Sequence, residues 1–475
     1  MSSSSSTTTV DDAPAAADPG RSPWPVFWIA SSAVFLVSLD GTMLFAAFAA
    51  LREAFPAASA ADLSWVLNAY TVVYAAMLIP AGGLADTHGR KRIFLLGTTL
   101  FLAASAACGL APSVEALVAA RVLQALGAAL LTPASLSLVL AAFPVEKRSV
   151  VVSLWGAVGA LAAAVGPSLG SLVTAHWGWP WAFYLNLPIG ALALWRGAAL
   201  LREHRRDDPA APRRRLDLVG MGLLILGVGA LTLAIVQAEA RHWRREELGL
   251  IAALGVAALI AFVAWARVAR APLLDLALFS HATYRYVNLA TLAFGTAFAM
   301  MFFAFFFYMT SIWHYSLPLA GLAVTPGPLL VMPAAILSGR LAARHGHRPF
   351  LVGGALVYAA SGLWFLRVPG VEPAYLTQWL PGLLLSGIGV GMVLPSLAAA
   401  AVARLPAPHY AVGSAVNQAT RQIGAVLGVA LTVLLLGHAG LARADFTPLY
   451  AAHVALALLT GALCLPVNTR PGAAR

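Results

Sequence analysis

Residues 82–97 read GGLADTHGRKRIFLLG, and residues 339–354 read GRLAARHGHRPFLVGG. Laid over one another they match at Gly82 and Gly339, Leu84 and Leu341, Ala85 and Ala342, His88 and His345, Gly89 and Gly346, and Gly97 and Gly354. Each copy is a short polar break that closes one long apolar run and opens the next. A break repeated in the same setting marks a duplicated chain, and it sets the frame for everything around it.

The surroundings are apolar far beyond the range of water-soluble domains, with 60% hydrophobic and 10% charged residues and a mean hydropathy of +0.82. Long runs rich in Ala and Leu, without strict alternation, cross lipid as helices rather than as barrel strands. A window of about 20 residues finds fourteen such runs, near 24–50, 62–84, 92–111, 116–142, 149–175, 180–200, 216–238, 247–267, 285–310, 318–343, 350–368, 375–402, 410–438 and 448–467. Six precede residue 200, six follow residue 285, and two lie between them. The expected fold is an all-α integral membrane protein of fourteen transmembrane helices, built from two pseudo-symmetric six-helix bundles plus an inserted two-helix hairpin. The expected division is a polar, disordered tail over 1–23, an N-terminal bundle over 24–200, a basic loop over 201–215, the hairpin over 216–267, a C-terminal bundle over 268–467 and a tail over 468–475. No cleavable signal peptide is expected, because the first apolar run is long and lacks a short core after a basic start.

An even number of spans puts both termini on one side, and loops rich in Lys and Arg stay in the cytoplasm. Of the 30 Lys and Arg, Arg52, Arg241, Arg244, Arg245, Arg367 and Arg443 fall on the far side and Arg121, Arg196 and Arg421 within spans; the other 21 share the side of the termini. Both termini are therefore expected in the cytoplasm of a cell membrane. The formal net charge of +11 is an expression of that topology and gives no ground for nucleic-acid binding. Cys108 and Cys464 sit in apolar runs without metal-ligand spacing and read as packing residues. The only lysines, Lys91 and Lys147, are each followed by Arg, so no phosphate-binding GK[ST] exists and ATP is not the energy source. No nucleophile, base and orienting group cluster as an enzyme requires.

With the duplication, the basic breaks and the spans in place, the chain resembles the major facilitator superfamily, and within it the fourteen-span branch of drug:proton antiporters. In that superfamily the loop after the second span carries G-x-x-x-D-R/K-x-G-R-R/K, which Gly82, Asp86, Gly89, Arg90 and Lys91 fill, with Thr87 departing from the usual base. Ala343 replaces the acid in the second copy. The role this implies is a cytoplasmic gating latch; the alternative is a loop that only sets topology. LVAARVLQALGAALLTPASL (117–136) is similar to the R-x-x-Q-G signature of the fourth span, shifted slightly at Leu126 and Gly127. GAVGALAAAVGPSLGSLV (156–173) resembles the antiporter motif of the fifth, with Gly166, Pro167 and Gly170, while Ala162 and Ser171 stand where glycine is usual. Small residues let helices approach closely and Pro167 bends the helix; close packing without any coupling role is the alternative. WGWPWAFYLNLPIG (177–190), DLVGMGLL (217–224), PLLDLALF (272–279) and NQATRQIGAVLG (417–428) match the fourteen-span branch, as does the L-D-x-T of the first span, here Leu39, Asp40, Gly41 and Thr42.

Asp40 lies inside the first apolar run, VFLVSLDGTMLFA (34–46). From a cytoplasmic start near Trp24 it lies about 24 Å up the helix, and Arg121, entering from the other face near Glu115, lies roughly 21 Å from the inner one. The matching depths predict that the two meet, with Asp40 carrying the proton and Arg121 tuning it. Burial favours the neutral acid and a nearby cation the charged one, so a change of environment could load and unload the proton. A permanent ion pair that holds two helices is the competing reading.

The residues expected to line the substrate cavity are Asn68, Tyr70, Tyr74, Gln124, Asn417, Gln418 and Arg421, with Phe298, Met301, Phe302 and Phe305 as an adaptable apolar stripe. Core packing is an equal alternative for any one of the stripe. The expected partners are the lipid bilayer, protons and a small amphipathic molecule, with no cofactor and a monomeric chain. Three functions remain open at this point: a proton-driven exporter, a proton-coupled importer or facilitator, and a membrane sensor that transports nothing.

Overall fold

The computed structural model describes residues 22–144, 148–203, 217–237, 244–270, 272–405, 410–436 and 441–469. Residues 1–21 and 470–475 of the terminal tails and most of the basic loop expected over 201–215 lie outside the described residues. The first half contains α1 (Trp24–Ala54), α2 (Ala60–His88), α3 (Arg90–Gly109), α4 (Val114–Ala142), α5 (Arg148–Trp177), α6 (Trp181–Tyr184) and α7 (Asn186–Leu200). Two helices follow, α8 (Leu218–Val236) and α9 (Arg245–Val268). The second half contains α10 (Ala282–Ser311), α11 (Leu317–Val324), α12 (Pro326–His345), α13 (Arg348–Arg367), α14 (Leu380–Val402), α15 (Tyr410–Leu436) and α16 (Phe446–Cys464).

Among the described residues, 12 helical stretches are long and apolar enough to cross a membrane. The 29-residue α2 and the α6–α7 pair stand outside that set. Two of the runs read as single spans are broken. The sixth breaks at Leu185 because Pro188 has no N–H to bond to the Tyr184 carbonyl four residues back, and the tenth breaks at Thr325 where Pro326 and Pro328 do the same to Leu322 and Val324.

The duplicated break has a backbone cause. Gly89 joins α2 to α3 with φ 101° and Gly346 joins α12 to α13 with φ 78°, a region that a side chain makes costly. The last matched glycines, Gly97 and Gly354, serve close approach: a Cβ on Gly97 would lie 2.9 Å from the backbone N of Leu131 in α4, and one on Gly354 would lie 2.7 Å from the Met392 Cβ in α14. One sequence motif thus makes the same two-helix corner twice.

The halves meet unequally at their two ends. At the end where α1 finishes, one apolar core joins Met43, Phe48 and Leu63 of the first half to Phe303, Phe307 and Val433 of the second, and the Phe48 and Phe303 rings cross the seam edge to face at 5.0 Å. At the opposite end there are two separate cores, one around Phe27, Tyr74 and Phe94, the other around Tyr284, Tyr358 and Leu397. A fourth core lies along the side: Leu224 and Val228 of α8 and Phe262 of α9 pack on Val72 and Ala76 of α2 and on Val426 of α15. The α8–α9 pair is therefore laid across the lateral seam between the halves.

Candidate functional site

Asp40 and Arg121 are each 1% exposed, and the Arg121 Nη1 donates to the Asp40 Oδ2 at 2.6 Å. Two buried charges are each several kcal/mol out of favour with a dry interior, and only dense hydrogen bonding offsets that. It is present here. Gln124 and Asn186 donate their side-chain amides to the Asp40 Oδ1 at 2.9 and 3.0 Å. Arg121 donates from Nη1 to the Gln124 Oε1 and from Nε to the Val66 carbonyl at 3.0 Å, and its guanidinium lies 3.9 Å from the Tyr70 ring centroid. The Ser105 hydroxyl accepts from Gln124 at 2.7 Å and from Asn186 at 3.4 Å. Residues from α1, α2, α3, α4 and α7 thus converge on one carboxylate, and every neighbour within hydrogen-bond distance offers it an N–H.

Local sequence puts them there. Arg121 and Gln124 are three residues apart on α4 and share a face. The helix break at Leu185 lets α7 start with Asn186 pointing inward. Ser105 gave no signal in an apolar run, whereas Asn186, a lone amide in YLNLP, was a signal that the reading of the sequence did not use.

The α5 glycines hold the turn that carries the acid. A Cβ on Gly166 would fall 2.0 Å from the Thr42 Oγ1, and one on Gly170 would fall 2.8 Å from the Met43 carbonyl. On its other side α5 meets the second half, where the Ser168 hydroxyl bonds to the Gly321 carbonyl at 3.2 Å and to Thr325. The Asp86 side chain of the gating motif lies outside the described residues. Its basic neighbours bind within the first half: Lys91 Nζ donates to the Ala198 carbonyl at 2.8 Å, Arg90 to the Ser137 carbonyl at 3.4 Å, and the Glu203 carboxylate accepts from the backbone N–H groups of Lys91 and Arg92 at the start of α3.

The expected cavity residues divide. Tyr70 and Tyr74 stack at 5.8 Å, Tyr74 bonds to Thr132 at 2.9 Å, and Gln418 and Arg421 of the other half reach Tyr74. The Asn68 Oδ1 and the Tyr70 hydroxyl are buried and have no hydrogen-bond partner among the described residues. Asn417 instead turns into its own half, donating to Asn288 and Thr291 of α10. Phe305 packs on Phe365 and Trp379 inside the second half, Phe298 stacks on Phe302 along α10, and Met301 is buried in the core shared by the halves. Phe303 and Phe307 of α10, which the sequence did not single out, meet Phe48 of the first half.

The profile of the Major Facilitator Superfamily matches residues 30–306 and, in a second match, 287–475. The chain belongs to the Major Facilitator Superfamily. It is 33% identical over 402 residues to the multidrug resistance protein Stp of Mycobacterium tuberculosis, covering 84% of this chain and 73% of that one. It is 35% identical over 424 residues to the puromycin resistance protein of Streptomyces alboniger, covering 87% and 81%. Among solved structures, an auto-inhibited peptide transporter of the POT family superposes with a TM-score of 0.67 over 95% of this chain and 99% of that one, at 17% identity, a likeness of fold. The superfamily's members are transporters, and the chain is a multi-pass membrane protein.

Proposed function

We propose that this protein exports amphipathic small molecules, drugs or antibiotics, from the cytoplasm in exchange for protons. The export half of this reading is supported by relatives named for multidrug and puromycin resistance. The proton half rests on one observation, a carboxylate buried in the membrane-spanning part of the chain, coordinated by three side-chain donors and braced by the antiporter glycines.

In the proposed cycle the proton enters Asp40 from the outer side and breaks its bond to Arg121. Asn186, whose Oδ1 has no partner, can turn its amide and accept the new O–H. Arg121 then keeps Gln124 and the Val66 carbonyl, so the guanidinium remains hydrogen-bonded while the charged tie between α1 and α4 is released and only the Gln124 amide still joins them. Because Gly166 and Gly170 seat α5 on the same turn of α1, and Ser168 carries α5 into the second half, a shift at Asp40 is passed to the seam between the halves. This is alternating access driven by one acid.

The topology that goes with this reading is fourteen spans, the 12 apolar stretches together with α2 and the α6–α7 pair, arranged as two six-span bundles with α8 and α9 between them. At about 1.5 Å per residue α2 is about 44 Å long, enough to cross a core of about 30 Å. The arginine distribution supports cytoplasmic termini in a plasma membrane, with the chain acting as a monomer. In that orientation the shared core lies at the outer face and the two separate cores at the inner face, the arrangement of an inward-facing state.

The test is export itself. Expressed in a drug-susceptible bacterium, the protein lowers steady-state accumulation of ethidium and puromycin, and a protonophore restores it. Accumulation that rises with expression would support the importer reading, and no change with any amphipathic compound would set the export reading aside.

A further inference from the structure

The second half holds an arginine that the proton site does not use. Arg421 sits on α15, and among the described residues no carboxylate pairs with it. Its Nε donates to the Gln418 Oε1 at 3.2 Å. A guanidinium carries five N–H donors, so one neutral acceptor leaves most of its capacity unmatched. Arg121 is the contrast within the same molecule: it is fully buried and meets a carboxylate, an amide oxygen and a backbone carbonyl. Arg421 is only partly buried.

Its direction is set by packing. A Cβ on Gly295 of α10 would lie 2.8 Å from the Arg421 carbonyl, and one on Gly428 would lie 2.4 Å from the Thr296 carbonyl, so α15 is pressed against α10 along that face. The Arg421 side chain extends the other way, toward α2, where the Tyr74 hydroxyl, bonded to Thr132 at 2.9 Å, lies close enough to feel the guanidinium charge. Beyond Tyr74 lies the stacked ring of Tyr70, whose hydroxyl has no partner. The result is a cation beside a pair of stacked rings, on the seam between the halves.

We infer that Arg421, Gln418 and Tyr74 form an anion-accepting subsite and that the exported compounds include amphipathic aromatic monoanions, with a carboxylate or acidic phenol on Arg421 and the ring system beside Tyr74. An uncompensated cation in a membrane protein interior is costly unless something brings a negative charge to it. The planar fork of arginine matches a carboxylate with two parallel hydrogen bonds, and aromatic faces beside it take the apolar body. This names a substrate class for the proposed export site and rests on that reading.

The test is equilibrium binding of radiolabelled naphthalene-1-acetate and of its neutral isostere naphthalene-1-acetamide to the full-length protein in nanodiscs at neutral pH. Wild-type protein binds the acetate about tenfold more tightly than the amide, the effect of about one charge-assisted hydrogen bond. Arg421→Gln removes the preference by weakening the acetate alone, and Arg421→Lys, which keeps the charge and loses the fork, restores part of it. Equal binding of the two probes by wild type, binding of neither, or an equal loss of both in Arg421→Gln would overturn the inference. Ethidium extrusion by wild-type inverted vesicles is measured in parallel. If extrusion continues while the acetate preference is missing, the anion subsite alone falls. If wild type extrudes nothing, the export reading fails, and the subsite, which rests on it, fails too.

Discussion

The Arg121 guanidinium lies 3.9 Å from the centre of the Tyr70 ring, and that ring stacks on Tyr74 at 5.8 Å. Tyr74 in turn stands near the Arg421 charge of the second half, so the two rings lie between the Asp40 ion pair and that cation. In the proposed cycle the Asp40 pair and the Arg421 subsite are separate places with two aromatic rings between them, and coupling is a matter of packing and not of competition for one acid.

The first prediction concerns Arg121. Removing one partner of a buried pair leaves a bare charge, so Arg121→Gln destabilises the protein by about 3–5 kcal/mol. The double variant Asp40→Asn with Arg121→Gln recovers much of this, since both charges are then gone. Arg121→Lys keeps a charge, but a single ammonium cannot serve Asp40, Gln124 and the Val66 carbonyl together, and drug extrusion falls about tenfold. Thermal unfolding in nanodiscs and vesicle transport measure the two effects; a double variant no more stable than Arg121→Gln would contradict the account.

A second prediction follows from the seat of α5 on α1. Gly170→Ala places a methyl 2.8 Å from the Met43 carbonyl, and overpacking of this kind costs about 1–3 kcal/mol. Extrusion drops while expression is retained. On the same helix a Cβ on Gly156 meets nothing within 4 Å, so Gly156→Ala leaves both unchanged. Equal behaviour of the two variants in transport assays would show that the close approach has no bearing on coupling.

The hairpin provides a third. Asp217 caps α8 by accepting from the Gly220 N–H at 2.8 Å, and it also accepts from the Trp265 indole of α9 and from the Leu273 N–H that leads into the second half. Asp217→Ala removes all three bonds at once, a lost cap plus two further bonds to the carboxylate, and costs more than about 3 kcal/mol. Because α8 also packs on α2 and α15, the loosened hairpin exposes the lateral seam. A cysteine placed at Val426 then reacts faster with a membrane-permeant maleimide. Unchanged labelling and an unchanged melting temperature would show that Asp217 does not hold the hairpin in place.

A fourth concerns acid. His347 stands in the loop between α12 and α13, its backbone N–H bonded to the Thr469 hydroxyl at 2.7 Å and its Nδ1 buried without a partner among the described residues. Burial lowers its pKa below the ordinary value. The unfolded chain therefore binds the proton more readily, and the stability that neutral His347 contributes is present above its unfolded pKa and is lost as pH falls through about 6.5 toward the folded value. Thermal melts between neutral pH and about pH 5 show this loss in wild type and a smaller one in His347→Gln. Parallel curves would remove His347 as the cause.

Much of this was legible before any coordinates. Helical depth alone predicted that Asp40 and Arg121 meet, because a buried acid and a buried base at one level of a bundle have few other partners. The two-helix corner was legible because it depends on glycines at Gly89 and Gly346, whose positive φ no other residue supplies cheaply. The helix breaks at Leu185 and Thr325 were missed, although Pro188 and Pro328 announce them, because apolar composition was weighed over the backbone ladder. The α10 stripe was left open between cavity and core for a different reason. Successive phenylalanines lie on every face of that helix, so spacing cannot separate Phe305, inside its bundle, from Phe303, which crosses to Phe48. Only the neighbours decide, and a sequence does not contain them.

The central claim is that Asp40 carries the proton exchanged for drug. Inverted membrane vesicles energised to an acidic interior are given ethidium, and the pH inside is followed as the dye is taken up. The account predicts that wild-type protein releases protons on addition of the dye and that Asp40→Asn, folded and still able to bind ethidium, releases none. Proton release by Asp40→Asn equal to that of wild type would contradict it and move the proton to another group.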